Sequence, residues 1–291
     1  MCRHMAYLGP PVAVSRLLLD PPYGLHRQSW APRAQRHGTV NADGFGLGWY
    51  PPATGAPGAT GAPGAIEARD TRPARYRRAV PLWADPNLPD LARCLYTGAL
   101  LAAVRDATPG TGQDEAACAP LRAGHLLFSH NGAVADWPGL PDDLRTPLGA
   151  RELLEMEARS DSALLWALLV RRLSAGESAG AALASVVRAT AAVRPGARLN
   201  LLLTDGRTIA AVRWGDSLGY RLVPGPDGDG GAGTRGGRVL VASEPPDDDG
   251  DWQDVPDGSL LLATHTDVTI TPLTPGTTEP AIRPTERTPT P

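Results

Sequence analysis

The sequence predicts an α+β fold of packed layers with largely antiparallel sheets. Three observations carry that expectation: a succession of short strand-like runs, two adjacent helical segments between them, and Gly/Pro-rich stretches that interrupt strands without forming a linker. The strand-like runs are Cys2–Leu8, Gly44–Tyr50, Leu95–Val104, His125–His130, Leu199–Thr204, Thr208–Trp214, Arg238–Ala242 and Ser259–Thr264. The first helix is expected over Ser160–Leu173, where Ser160 can cap the N-terminus and Leu164, Leu165, Leu168 and Leu169 recur at helical spacing. The second, Ser178–Val193, is rich in alanine and stops at Pro195-Gly196.

Three segments have nothing to bury and are expected to be disordered. Residues 51–65 approximate a repeat of Ala-Thr-Gly-Ala-Pro-Gly, residues 224–237 are nearly all Gly, Asp and Pro, and the tail after Thr271 is rich in Thr and Pro. The first two read as flexible hairpin insertions at the surface. One domain over residues 2–273 with a disordered tail over 274–291 follows.

With 291 residues the chain can build a core without metal or disulfide staples. A net charge of −3 offers no electrostatic footprint for nucleic acid. The start Met-Cys-Arg-His lacks the pattern of a signal peptide, and no apolar run approaches a membrane span. Cys2, Cys94 and Cys118 cannot all pair and lack metal-ligand spacing, so a reducing, cytoplasmic setting is expected, with Cys94 and Cys118 as buried structural thiols.

Four local features carry chemistry. Cysteine at position 2 permits removal of Met1, which leaves one residue holding both a thiol and a free α-amine. An α-amine has a pKa near ~8, low enough to serve as general base beside its own nucleophile. Taken alone, Cys2 reads first as an incidental small residue in a first strand. Ser129-His130-Asn131-Gly132 follows the apolar run Leu126-Leu127-Phe128 and reads as a strand ending in a sharp Asn-Gly turn. It offers an amide side chain and an unhindered backbone N–H, two donors able to hold an oxyanion, or it is simply a turn. Arg105, at the end of another strand in Val104-Arg105-Asp106-Ala107-Thr108, can clamp a carboxylate through two parallel hydrogen bonds or lie on the surface. Asp161, in Arg159-Ser160-Asp161-Ser162, can receive an ammonium group or merely cap its helix.

Taken together and in this order, the four resemble the class II glutamine amidotransferases, whose fold is the N-terminal-nucleophile αββα sandwich of four layers. The resemblance implies that Cys2 is the nucleophile, its α-amine the base, and Asn131 and Gly132 the oxyanion hole. It implies that Arg105, with Thr108 nearby, binds the α-carboxylate of a γ-glutamyl group and Asp161 its α-ammonium. A small-molecule γ-glutamyl substrate is therefore implied, with no metal or organic cofactor, no nucleic acid and no membrane partner. The stretch from Arg36-His37-Gly38 to Gly46 resembles the glycine-rich segment packed beside the N-terminus in that class. In many members an arginine stands where His37 does.

Further stretches are similar to the small stand-alone members: Asn41-Ala42-Asp43-Gly44-Phe45-Gly46-Leu47-Gly48-Trp49-Tyr50, residues 115–120, residues 199–206, Ala242-Ser243-Glu244-Pro245, and Trp252. Among these the chain is most similar to the γ-glutamyl-hercynylcysteine sulfoxide hydrolases of ergothioneine biosynthesis. That likeness implies release of glutamate and hercynylcysteine sulfoxide by way of a γ-glutamyl thioester. The leaving group would carry a quaternary ammonium, for which the faces of Trp30, Trp49 or Trp252 are candidate surroundings. Two other readings stay open: a stand-alone glutaminase supplying ammonia to a partner, and a γ-glutamyl-binding module without catalysis.

Overall fold

The computed structural model describes residues 2–51, 72–225 and 236–273. Thirteen strands form two sheets. The strands are β1 (Arg3–Ala13), β2 (Phe45–Trp49), β3 (Ala74–Arg78), β4 (Tyr96–Val104), β5 (Leu121–Ala123), β6 (Leu126–Ala133), β7 (Arg198–Thr204), β8 (Ile209–Arg213), β9 (Gly219–Val223), β10 (Arg238–Ala242), β11 (Gln253–Asp254), β12 (Ser259–Ala263) and β13 (Val268–Pro272). One sheet has the order β11-β9-β10-β1-β4-β2-β3, the other β13-β12-β8-β7-β6-β5. Every strand pairing in both is antiparallel. Short helices α1 (Ser15–Leu18), α2 (Leu25–Gln28), α3 (Leu88–Cys94), α4 (Leu140–Asp143) and α5 (Ala150–Glu155) precede two long ones, α6 (Asp161–Ser174) and α7 (Ala179–Val193).

Side-chain alternation along the strands sorts these elements into four layers. On β1, Ala6 and Leu8 face the second sheet together with Leu101, Leu127, Leu202, Ala211 and Leu261. The alternate residues Met5 and Tyr7 face the other way, onto Leu17 and Leu18 of α1, Leu25 of α2 and Leu88 of α3. The second sheet behaves likewise: Phe128, Leu201, Leu203 and Val212 turn outward onto α6 and α7. Phe128 stacks on Trp166 of α6 with ring centroids 5.0 Å apart. The result is the αββα sandwich.

The helix caps follow the sequence: Ser160 accepts the Ala163 N–H at the head of α6, and Ser178 does the same for α7. Five strands, β3, β5, β9, β11 and β13, are not expected from the sequence. β3 is Ala-Arg-Tyr-Arg-Arg at a sheet edge, where pairing with β2 supplies the order. Residues 52–71 and 226–235, which include most of the two expected insertions, and 274–291, the expected tail, lie outside the described residues. The strands on either side of the first two pair with each other, β2 with β3 and β9 with β10. The tail begins later than Thr271 suggests, because Thr271 and Pro272 pair with β12 in β13. Cys94 is a correction: as the last residue of α3 it is exposed, whereas Cys118 is buried as expected. No helix among the described residues is long and apolar enough to cross a membrane.

Candidate active site

Two strands lying in different sheets set the site. Cys2 immediately precedes β1 and is in phase with His4, Ala6 and Leu8, the residues facing the second sheet. Across that gap, β6 turns Leu127, Ser129 and Asn131 inward and Phe128 and His130 outward. Accordingly His4 Nδ1 lies 3.1 Å from Ser129 Oγ. Asn131 Nδ2 donates to Ser243 Oγ at 3.2 Å. His130 instead turns toward α6, where Ser162 Oγ is 3.1 Å from its Nδ1. Its Nε2 is 2.9 Å from the Arg198 carbonyl oxygen and donates to it.

The expected Asn-Gly turn is not there. β6 runs on through Asn131 and Gly132 to Ala133, paired with Asn200, Leu199 and Arg198 of β7. The glycine is required by crowding: a Cβ at Gly132 would collide with the Arg198 carbonyl oxygen. A strand position serves the amide better than a turn, because the pleat fixes the direction in which Asn131 points.

β4 ends at Val104, and the next residues wrap around Cys2. The thiol donates a long contact of 3.8 Å to the Asp106 carbonyl. Asp43 holds that segment from the other side: its N–H donates to the Arg105 carbonyl at 2.9 Å and its carboxylate accepts the Ala107 N–H at 2.7 Å. The glycine-rich stretch therefore does pack beside the N-terminus, through Asp43 and Gly44, with Gln35 accepting from the Arg3 guanidinium at 3.3 Å. His37 stays exposed in the loop.

Arg105 and Asp161 are charged residues near the thiol, and both feel it electrostatically. Arg105 is 7% exposed; its Nη2 donates to Thr111 Oγ1 at 2.9 Å and to the Gly112 carbonyl at 2.7 Å. Its Nη1 is buried without a partner. Asp161, 3% exposed, accepts the Ser162 N–H at 2.8 Å, the Val134 N–H at 3.2 Å and the Thr108 hydroxyl at 3.3 Å. All its donors are neutral, and among the described residues no ion pair satisfies either charge. A buried charge without a counter-charge is costly, several kcal/mol of desolvation on the order of the effective penalty for one ion. Two such residues of opposite sign beside a thiol suit a zwitterion.

Cys2, Arg105, Ser129, His130 and Ser162 line one cavity. Burial pushes the Cys2 thiol above its ordinary pKa, and the Asp106 carbonyl and Arg105 oppose that shift. Burial also drives His4 well below the usual histidine range, helped by His130 and Arg3, so its imidazole is neutral at pH 7. Cys118, near the same wall, is pushed up to about 11 by burial, and its thiol contacts the carbonyls of Arg78 and Asp114. The tryptophans proposed from the sequence lie elsewhere. Trp30 packs edge-on against His26 and Trp83, Trp49 packs on the helix-facing side of β2, and Trp252 lies under the Arg221 guanidinium. None of the three lines this cavity.

The chain is 39% identical over 273 residues to a γ-glutamyl-hercynylcysteine sulfoxide hydrolase of Mycobacterium tuberculosis, covering 94% of this chain and 97% of that protein. The chain belongs to the γ-glutamyl-hercynylcysteine sulfoxide hydrolase family. A protein of the same description from Mycolicibacterium smegmatis is 38% identical, with 94% and 100% covered. A probable glutamine amidotransferase of Saccharomyces cerevisiae is 26% identical over 94% of this chain and 84% of its own length. No family model matches the chain. Among solved structures, the class-II glutamine aminotransferase domain protein of Silicibacter pomeroyi shares the fold with a TM-score of 0.59 at 21% identity, covering 94% of this chain and 100% of that one. The allosteric regulatory enzyme of purine biosynthesis does so at a TM-score of 0.57 over 93% of this chain and 49% of its own.

The reading of the sequence missed Asp43 and Ser243 as parts of the site. Both stand in stretches already notable, Asn-Ala-Asp-Gly and Ala-Ser-Glu-Pro, but nothing local says that Asp43 reaches the residues after β4 or that Ser243 reaches β6.

Proposed function

We propose that this protein hydrolyses the γ-glutamyl amide of γ-glutamyl-hercynylcysteine sulfoxide, releasing glutamate and hercynylcysteine sulfoxide. The single observation that carries the amino-acid end of the substrate is the pair of buried charges without a counter-ion, Arg105 and Asp161, beside Cys2. The identity of the leaving group rests on membership of the family.

In this reading Met1 is removed and the Cys2 α-amine takes the thiol proton. The sulfur attacks the γ-carbonyl carbon, and the oxygen, now anionic, is held by the Asn131 side-chain N–H and the Gly132 backbone N–H. The C–N bond then breaks, and the proton on the α-ammonium passes to the departing nitrogen. Water, deprotonated by the same amine, cleaves the γ-glutamyl thioester and regenerates the thiol. Arg105 and Thr108 hold the α-carboxylate and Asp161 the α-ammonium; no metal or organic cofactor enters any step. A cytoplasmic location accompanies this chemistry, and residues 2–273 act as one catalytic domain.

The test is glutamate release from the sulfoxide substrate and, in parallel, from glutamine, with wild type and Cys2→Ala. Turnover of the sulfoxide well above that of glutamine is expected, with Cys2→Ala losing about 10⁴-fold or more, as for other removed nucleophiles. Faster glutamine turnover would instead assign an ammonia-supplying glutaminase. No turnover of either, in protein whose intact mass shows Met1 removed, would leave a binding module.

A further inference from the structure

We propose that Ser243 is a positioning residue that holds the Asn131 amide in place relative to the strand that carries Cys2. This deepens the function proposed above and rests on it. Ser243 is fully buried and directly follows β10, the neighbour of β1. Its backbone N–H donates to the His4 carbonyl at 2.9 Å, continuing the β1–β10 ladder by one more bond. Its hydroxyl oxygen then accepts two further N–H groups, from the His4 backbone at 3.0 Å and from Asn131 Nδ2 at 3.2 Å. The first of these partners is in β1, two residues from the nucleophile; the second is in β6 of the opposite sheet. One oxygen thus links the strand that carries the thiol to the side chain assigned to the oxyanion.

The chemistry of that oxygen explains the choice of residue. A hydroxyl oxygen has two lone pairs. Both are used here, one to lock Ser243 onto β1 and one to receive a single N–H of the Asn131 amide. The other Nδ2–H is left for the oxyanion, while Asn131 Oδ1 is buried without a partner. Among the described residues the serine is the one side-chain hydrogen-bond partner of the Asn131 amide, so without it the amide is no longer held in place beside β1. Alanine removes the acceptor. Cysteine keeps nearly the same shape with a much weaker one, and threonine keeps the hydroxyl.

Three variants and a cycle test the assignment in the full chain. Ser243→Ala and Ser243→Cys are expected to lower kcat on the sulfoxide substrate by about 10- to 100-fold, less than loss of an oxyanion donor outright, with KM within about twofold. Ser243→Thr is expected to restore most of kcat. Because the serine acts through Asn131, Ser243→Ala should cost little more in an Asn131→Ala background, a strongly non-additive cycle. The assignment is overturned if Ser243→Cys turns over like wild type, if the two substitutions multiply, or if loss of activity follows only loss of folded protein in thermal melts. A wild type that hydrolyses neither the sulfoxide nor glutamine would instead sink the functional proposal, an outcome separable from all of these.

Discussion

At the scale of single residues, Arg105 and Asp161 are buried charges with no opposite charge paired to them among the described residues. Several other arginines are paired, such as Arg75 and Arg77 with Glu157 or Arg221 with Asp247. Neutral donors and acceptors keep Arg105 and Asp161 in place without neutralising them, which leaves the full charge for a ligand. Substitution should therefore act on binding more than on stability. Arg105→Lys loses the planar fork and should raise KM for the γ-glutamyl substrate by about 10-fold or more, the cost of one charged hydrogen bond being roughly 1.5–3 kcal/mol. Asp161→Asn removes the charge, and its amide nitrogen can no longer accept from the donors on one of the two oxygens; it should do the same. Steady-state kinetics decides; unchanged KM with a lowered kcat would show that these residues do not bind the glutamyl group. Both residues were legible in the sequence through their motifs, but the absence of counter-ions was not, since it depends on every neighbour in space.

At the scale of elements, α5 is held mainly by one side chain. It has no buried residues, and Leu154 is largely exposed. Glu152 receives Arg171 of α6 through Nε at 2.6 Å and Nη2 at 2.5 Å, and the Gly149 N–H at 2.8 Å. The Arg171 hydrogen bonds, followed by that from Gly149, lower the Glu152 pKa to about 2. A carboxyl depressed in the folded state adds stability that is present above its unfolded pKa and fades as the pH falls through the folded value. The window here runs from about pH 4.5 down to about 2. The pair is partly exposed, so solvent screening holds its worth to about 1 kcal/mol or less. Glu152→Gln should lower stability by that amount at pH 7 and by almost nothing at pH 2. Urea melts at the two pH values measure it, and an equal loss at both would refute an electrostatic role. The long helices and their serine caps were visible in the sequence; α5 was not, as six residues with no apolar stripe carry no period.

At the scale of the whole molecule, the apolar seam between the sheets sets the spacing on which the site depends. Ala6, Leu8 and Leu101 meet Leu127, Leu202 and Leu261 there, and small residues let the layers come close. Gly48 of β2 shows how close: a Cβ there would lie 2.7 Å from Leu127 Cδ1. Leu127 is fully buried two residues before Ser129 and four before Asn131. Leu127→Ala should cost about 2–5 kcal/mol, as a deleted core leucine does. It should also lower kcat more than the unfolded fraction explains, because the seam holds β6 against β1. Thermal melts alongside activity at a temperature where the variant is fully folded test this; full specific activity there would show that the site does not feel the seam.

The sequence by itself determined the layers, the two long helices and the identities of the chemical groups. Alternation and helical period act over a few residues, and the Cys2, Arg105, Asn131, Gly132 and Asp161 motifs announce themselves in their own neighbourhoods. Tertiary structure decided what those groups face. It turned the expected Asn-Gly turn into a paired strand, placed Trp30, Trp49 and Trp252 away from the cavity, exposed Cys94, and brought Asp43 and Ser243 into the site. Each of these outcomes depends on strand pairing or layer packing between residues far apart in the chain, 239 positions in the case of His4 and Ser243. No local pattern encodes such a contact; only the closing of two sheets on one another creates it.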